Sequence, residues 1–331
     1  MQPGRLCPLH YRYAPSDLAG AGEVAADTLY VVGGLYGNLP ALEALRDLAA
    51  GETGPVTFVF NGDFNWFNVD DAAFASINTE VLRHAALRGN VETEIAGDDE
   101  EAGCGCAYPD WVADPEVERS NRISDRLRTT ARRLPALRAS LRKLPMYIAA
   151  RVGAMRVGIV HGDLRSLAGW DFSQERLGDP ARIADLAHEF EQARCRVIAS
   201  SHTCLPVAID SNTAGGRCVL INNGAAGMPN FHNTRYGLIT RIALTPATHA
   251  APLYTTRLDC VHIEALPLPY DHHRWLREFL ANWPPGTPAH RSYFKRIDEG
   301  PAYDLRHAIR WRVGSDTVAA TDRRLEEGVR K

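Results

Sequence analysis

Short β-branched and aromatic runs that each stop at a glycine or asparagine turn constrain this chain most. TLYVV (Thr28–Val32) and VTFVF (Val56–Phe60) are of this kind, and the stretch between them, NLPALEAL, is amphipathic at a helical period. Such runs read as buried parallel strands, with the Pro40–Ala50 helix as a crossover. The same pattern returns in MYIAARVGAMRVGIV, a hairpin about Gly153, in RVIASSHT, in CVLINNGAAG and in YGLITRIAL. Helices are expected over Phe74–Leu87, over 120–143 with a break at Pro135, and over Arg182–Ala193. The fold class is therefore α/β, and 331 residues at 45% apolar content can fill a large core.

The chemistry sits where those runs end. NGDFN at 61–65, RGNVE at 88–92, VHGD at 160–163 and SSHTC at 200–204 each follow a predicted strand or helix. Loops after the carboxyl ends of strands in one sheet share an edge, so they converge although far apart in sequence. Together they supply Asp63, Asn90, His161 and His202. One carboxylate, one amide oxygen and two imidazoles suit Mn²⁺, Fe²⁺ or Zn²⁺ better than Ca²⁺ or an all-thiolate centre. The glycine loop VVGGLYGN at 31–38 has the same strand–turn–helix setting yet offers no acid, histidine, lysine or serine nucleophile.

In order and context these blocks resemble the calcineurin-like metallophosphoesterases, from about residue 28 to 245. That family carries, in order, Asp-x-His-Gly-Asn, Gly-Asp, Gly-Asn-His-Asp/Glu, a histidine after a strand, and Gly-His-x-His. Here the blocks read GLYGN, NGDFN, RGNVE, VHGD and SHTC. The resemblance implies a four-layer α/β/β/α sandwich with a two-metal site at the sheet edges. It also marks departures. Gly34 and Tyr36 stand at the family's first Asp and His, Cys204 at its last His, and Val91 at the histidine that assists the leaving group. Asp63 (the bridging position), Asn90, His161 and His202 persist, so the resemblance implies one divalent transition metal rather than two.

The implied activity is hydrolysis of a phosphoester, phosphatase or phosphodiesterase, by a reduced mononuclear site acting on a phosphorylated small molecule. The alternative is a degenerate relative that binds a phosphate-bearing ligand or a partner without turnover. Cys204, with Tyr36 beside it, either ligates a metal or fills vacated space; filling requires fewer coincidences. INNGAAGMPN could present backbone N–H groups as an anion nest, with Asn223, Gly224, His232 and Arg235 as substrate contacts, or be a plain turn. Glu92 is expected to support its loop.

The remaining features read as structural. Cys104-Gly105-Cys106 lacks zinc-knuckle spacing and is expected to be a loop with incidental thiols. Nine Lys and Arg lie between 119 and 143 against Asp125 alone, a pattern that usually marks a solvated helix face. His84, His272 and His273 have no motif around them. A net charge of −3 gives no general attraction to nucleic acid or anionic membrane. No run approaches the roughly 18 apolar residues of a membrane helix. Seven cysteines without a disulfide-framework spacing point to a cytoplasmic protein. Expected organisation is an N-terminal extension over 1–27, pinned by Tyr11 and Tyr13, the main domain over 28–265 with an insertion at about 93–145, and a C-terminal helical wrap over 266–331.

Overall fold

A computed structural model describes residues 2–99 and 101–311. Its strands are β1 (Glu23–Ala26), β2 (Thr28–Val32), β3 (Val56–Asn61), β4 (Ala85–Leu87), β5 (Tyr147–Val152), β6 (Met155–Val160), β7 (Val197–Ser200), β8 (Val207–Thr213), β9 (Gly216–Asn222), β10 (Gly237–Ala243), β11 (Tyr254–Leu258), β12 (Val261–Leu268) and β13 (Ile309–Arg310). One sheet has the order β1-β5-β6-β7-β9-β8-β13 and the other β11-β12-β10-β2-β3-β4. Leu29, Val31, Val59, Val157, Ile159, Val197, Val219 and Ile242 pack between them as a shared apolar layer. α2 (Leu39–Ala50) and α3 (Asp71–Val81) pack outside the six-stranded sheet, and the short α1 (Pro15–Ala19) and α7 (Pro180–Ala193) outside the seven-stranded one. The result is the α/β/β/α sandwich expected from the sequence.

β2, β3 and β4 run parallel, as do β6, β7 and β9. Their carboxyl ends, with the loops that follow, therefore meet at one end of the sandwich. The expected hairpin is β5–β6, paired Val152 to Met155 across Gly153. The helix expected over 74–87 is shorter: it ends at Val81, and Ala85–Leu87 forms strand β4 against β3. Pairing Ala86 with Phe60 hides both in the sheet, which outweighs the helical propensity of alanine. The hairpin β11–β12 and the edge strand β1 were not expected either. Thr255 and Arg257 interrupt the apolar signal of β11, and β1 is only four residues long.

α4 (Asn90–Ala96) leads into the expected insertion, whose helices are α5 (Asp114–Arg133) and α6 (Pro135–Arg142), divided at Pro135. The N-terminal extension is tied down by its two tyrosines: Tyr11 Oη donates to Glu94 and Tyr13 Oη to the Asp163 carbonyl, each at 2.5 Å. α8 (His272–Asn282) and α9 (Pro288–Glu299) wrap the helical face of the six-stranded sheet. The part of the expected wrap at 312–331 lies outside the described residues. Among the described residues no helix is long and apolar enough to cross a membrane, and all seven cysteines are unpaired.

Candidate functional site

Asp63 follows β3, Asn90 opens α4 just past β4, His161 follows β6 and His202 follows β7. The structure brings all four together, and all are buried. The approach needs glycine at 89: a Cβ there would stand 2.2 Å from Asp63 Oδ1. Glu92 ties the two loops, accepting from the N–H groups of Asp63 (2.7 Å), Asn65 (3.1 Å) and Gly89 (3.0 Å). Asp63, Tyr36 and Cys204 are three of the eight non-glycine residues at positive φ among the described residues, so part of the backbone strain lies at this site.

The hydrogen bonds around the four side chains fix which atoms point inward. His161 Nδ1 lies 2.8 Å from the Asn61 carbonyl, and His202 Nε2 lies 3.2 Å from the Cys106 carbonyl. A carbonyl only accepts, so those nitrogens carry the protons and the inner nitrogens carry lone pairs. Asn90 Nδ2 donates to the Cys104 carbonyl at 2.9 Å, which turns Oδ1 inward. His161 Nε2 then faces Asn90 Oδ1 at 3.2 Å, His202 Nδ1 at 3.2 Å and Asp63 Oδ2 at 3.3 Å. Four acceptors converge with no donor among them. Either a proton on His161 or a cation must satisfy them. The ligand atoms of Asp63, His161 and His202 lie within 4.8 Å of one another, a spacing one metal ion can bridge. Both imidazoles already have the outer carbonyl partners that metal-binding histidines use.

The electrostatics agree. Burial works against charge on His161, but Asp63 more than offsets it and raises the imidazole above its ordinary value. Burial likewise opposes charge on Asp63, and His161 overrides it to hold the carboxyl low. His202 is held down to about 3, first by burial and then by His161. The pair thus takes up one positive charge readily and resists a second.

The other sequence-predicted residues lie differently. Tyr36 Oη and Cys204 Sγ are 2.8 Å apart and line the same cavity as Asp63. Burial raises both above their ordinary values, so the two groups stay protonated and satisfy each other. Asn223, Gly224, His232 and Arg235 do not line this cavity, contrary to their expected role as substrate contacts. Asn223 is spent between Thr240 (2.5 Å) and Tyr254 (2.6 Å), and Arg235 on Asp298 (3.3 Å). His232 lines a separate hollow with Asp304 and Arg306. The Asn222–Gly227 loop is not an anion nest either. The N–H groups of Gly224, Ala225, Ala226 and Gly227 already donate to Asn222, Asn230, Gly33 and Gly34.

The basic segment fastens the insertion. Arg128 is buried against Glu94 (2.9 Å), Arg133 pairs with Asp71 (2.6 Å), and Arg138 and Arg142 cap the carbonyls that end α4.

Three contributors escaped the sequence reading. The loop Cys104-Gly105-Cys106 presents carbonyls to Asn90 and His202 and puts the Cys106 side chain in the cavity wall. Its signal was the glycine between two apolar residues, a turn that must face inward. Arg296, on α9, reaches the cavity, donates to the Cys204 carbonyl at 2.6 Å and leaves Nε without a partner. Trp66, Tyr108, Trp170 and Tyr293 also line the cavity, which has a volume of about 270 Å³.

No family model and no curated protein matches the chain. Solved structures do. A hypothetical protein of Pyrococcus horikoshii shares 16% identity at a TM-score of 0.53, with 84% of this chain and 100% of that one covered. A metallophosphoesterase of Sphaerobacter thermophilus shares 16% identity at a TM-score of 0.50, with 83% and 100% covered. At such identities the likeness is one of fold: the chain has the metallophosphoesterase fold, as its motif order implied.

Proposed function

We propose that this chain is a metal-dependent phosphoester hydrolase with a single-metal site, acting on a phosphorylated small molecule in a reducing compartment such as the cytoplasm. The convergence of four buried acceptors on one point carries the reading. Asp63, Asn90, His161 and His202 would hold one divalent transition metal, Mn²⁺, Fe²⁺ or Zn²⁺. When bound, such an ion polarises a phosphoryl oxygen and makes water a competent nucleophile near neutral pH.

The chain's own residues do the rest. Glu92 holds the Asp63 and Asn90 loops in register. The Asn61 and Cys106 carbonyls keep both imidazoles in the tautomer that presents a lone pair. Arg296 is the one Lys or Arg among the described residues lining the cavity, and its guanidinium charge suits a phosphoryl oxygen. Val91 lines the cavity and has no proton to give, so the leaving oxygen departs as an anion. Lack of a general acid costs on the order of 10² to 10⁴ in rate for poor leaving groups.

Metal titration should give one equivalent per chain, unchanged in Cys204→Ala, and esters with stabilised leaving anions should turn over faster than alkyl ones. Two equivalents that persist in Cys204→Ala would refute the single-metal reading. The mutually satisfied Tyr36–Cys204 pair favours a second reading, a phosphate-binding module without turnover. No activity above a His161→Ala control on any ester, with phosphate still raising the melting temperature, would establish it.

A further inference from the structure

The cavity beside the candidate metal residues is walled by aromatic rings from separate segments of the chain. Trp66 comes from the loop after β3, Tyr108 from the insertion, Trp170 from the loop after β6, and Tyr293 from α9. Trp170 packs against the ligand set: its ring centroid is 5.4 Å from that of His202, edge to face. Its Nε1–H donates at 2.9 Å to the Cys106 carbonyl, the same oxygen that orients His202. The wall and the metal residues are therefore held by one atom. From Trp170 the aromatic surface continues to Tyr108 at 5.8 Å and to Trp111 at 6.5 Å, a residue that is 53% exposed.

This surface begins at the ligand set and leads outward, and Arg296 is the one Lys or Arg among the described residues that lines its cavity. We propose that the substrate is an aryl phosphoester, a phosphoryl group carried directly on the oxygen of a small planar ring, with the ring docked against Trp170 and Tyr108. The inference rests on the hydrolase reading of the same site and names its substrate class. Three observations converge on it. Offset-stacked and edge-to-face contacts reward a planar ring over an alkyl chain. A volume of about 270 Å³ lies just below the usual range of ligand cavities, room for one ring and one phosphoryl group. Val91 supplies no acid, and an aryl oxygen, with a conjugate acid near the phenol value of about 10, leaves without one far better than an alkoxide. In the step itself a water oxygen forms the new P–O bond and the P–O(aryl) bond breaks. The aryl oxygen leaves with the bonding pair and is protonated from solvent. Water and aryl phosphate become phenol and inorganic phosphate.

Phosphonates separate recognition from leaving-group reactivity, because their P–C bond does not hydrolyse. The Zn²⁺-loaded full chain is titrated with phenylphosphonate and with methylphosphonate by calorimetry. Phenylphosphonate should bind at least tenfold tighter. Trp170→Leu should bring that ratio towards one, and Trp170→Phe, which keeps a ring, should retain most of it. Equal binding of both probes to the wild type would overturn the aryl assignment and leave the hydrolase reading standing. Binding of neither would overturn both. A tenfold ratio that survives Trp170→Leu would overturn the placement of the ring. If Trp170→Leu does not fold, the wild-type ratio alone decides the substrate class.

Discussion

Asp63→Asn turns the acceptor cluster into a quantitative test. Asp63 Oδ1 already accepts the Val91 N–H at 3.2 Å, so an asparagine keeps its oxygen there and places its NH₂ where Oδ2 was. That group would then stand about 3.3 Å from the lone pair of His161 Nε2 and supply the donor the cluster lacks. The new bond is worth about 1 kcal/mol. Its effect depends on pH, because the wild type has its own donor whenever His161 is protonated. His161 is raised, so its contribution is complete below its ordinary 6.5 and is lost as pH rises through the raised value. Asp63 is lowered, so its contribution is intact above its ordinary 3.8 and is lost as pH falls through the lowered value. In EDTA the two proteins should thus be similar near pH 6. Above the His161 transition Asp63→Asn should be the more stable by about 1 kcal/mol. Saturating metal reverses the order. An ion at a hundred times its dissociation constant stabilises the wild type by about 2.7 kcal/mol, and the variant, without the one carboxylate of the set, by far less. Urea midpoints from pH 6 to 9.5, with EDTA and with Zn²⁺, measure all of this. A variant less stable than the wild type throughout in EDTA, or one that keeps the full metal-induced shift, would refute the acceptor-cluster reasoning.

Other expectations are simpler. His202, depressed to about 3, binds fewer protons folded than unfolded, so its contribution is whole above pH 6.5 and declines as pH falls from there towards 3. Metal-free wild type should lose on the order of 3 kcal/mol between pH 6.5 and 4 from this group, a slope absent in His202→Gln when urea midpoints are compared. Gly105→Ala, at φ 64° with its Cβ 2.2 Å from Tyr11 Oη, should cost about 2 kcal/mol or more and weaken metal binding, read by calorimetry, because the loop that orients Asn90 and His202 must shift.

What could be seen in the sequence was whatever side-chain type and strand position encode together. Asp63, Asn90, His161 and His202 each stand just past an apolar run, and the parallel order of β2, β3, β4 and of β6, β7, β9 is what carries them to one end of the sandwich. Backbone roles leave no such trace. The Cys104 and Cys106 carbonyls orient two of the four residues, yet any residue has a carbonyl, and the thiols drew attention to the wrong atoms. The converse holds for the Asn222–Gly227 loop, which the sequence leaves open between an anion nest and a plain turn. Its glycines suggested open N–H groups, but the partners that use them, Gly33, Gly34 and Asn230, lie on neighbouring turns. Arg296 was illegible for a third reason. It comes from a helix that reads as a covering element, and only the packing of α9 over the cavity brings it in.

The empty glycine loop can be put to the same test. Gly34 stands at φ 58°, and a Cβ there would lie 2.8 Å from Tyr36 Cζ, so the tyrosine ring occupies the space a side chain at 34 would need. Gly34→Asp alone should therefore destabilise, by about 1 kcal/mol for the left-handed backbone together with the clash. Combined with Tyr36→His the clash goes, and the backbone cost remains small because Asp tolerates this region. Tyr36 and Cys204 already hold positive φ without glycine, so histidines at 36 and 204 add no new backbone strain. The loop is also pinned in place: Gly34 N–H donates to the Gly62 carbonyl at 3.2 Å, and Tyr36 N–H to that of Asp63 at 3.2 Å. The new ligands would thus face Asp63 from a fixed distance. Val91→His would add an imidazole on the cavity wall while its backbone N–H keeps its bond to Asp63. The quadruple variant should be less stable without metal, since it buries polar groups that lack partners. It should recover on metal addition, take up a second equivalent, and hydrolyse alkyl phosphoesters by on the order of tenfold or more faster than the wild type. A folded variant that binds one metal and gains no rate would mean that the 33–37 loop shares the fold of a ligand loop but not its reach to the site.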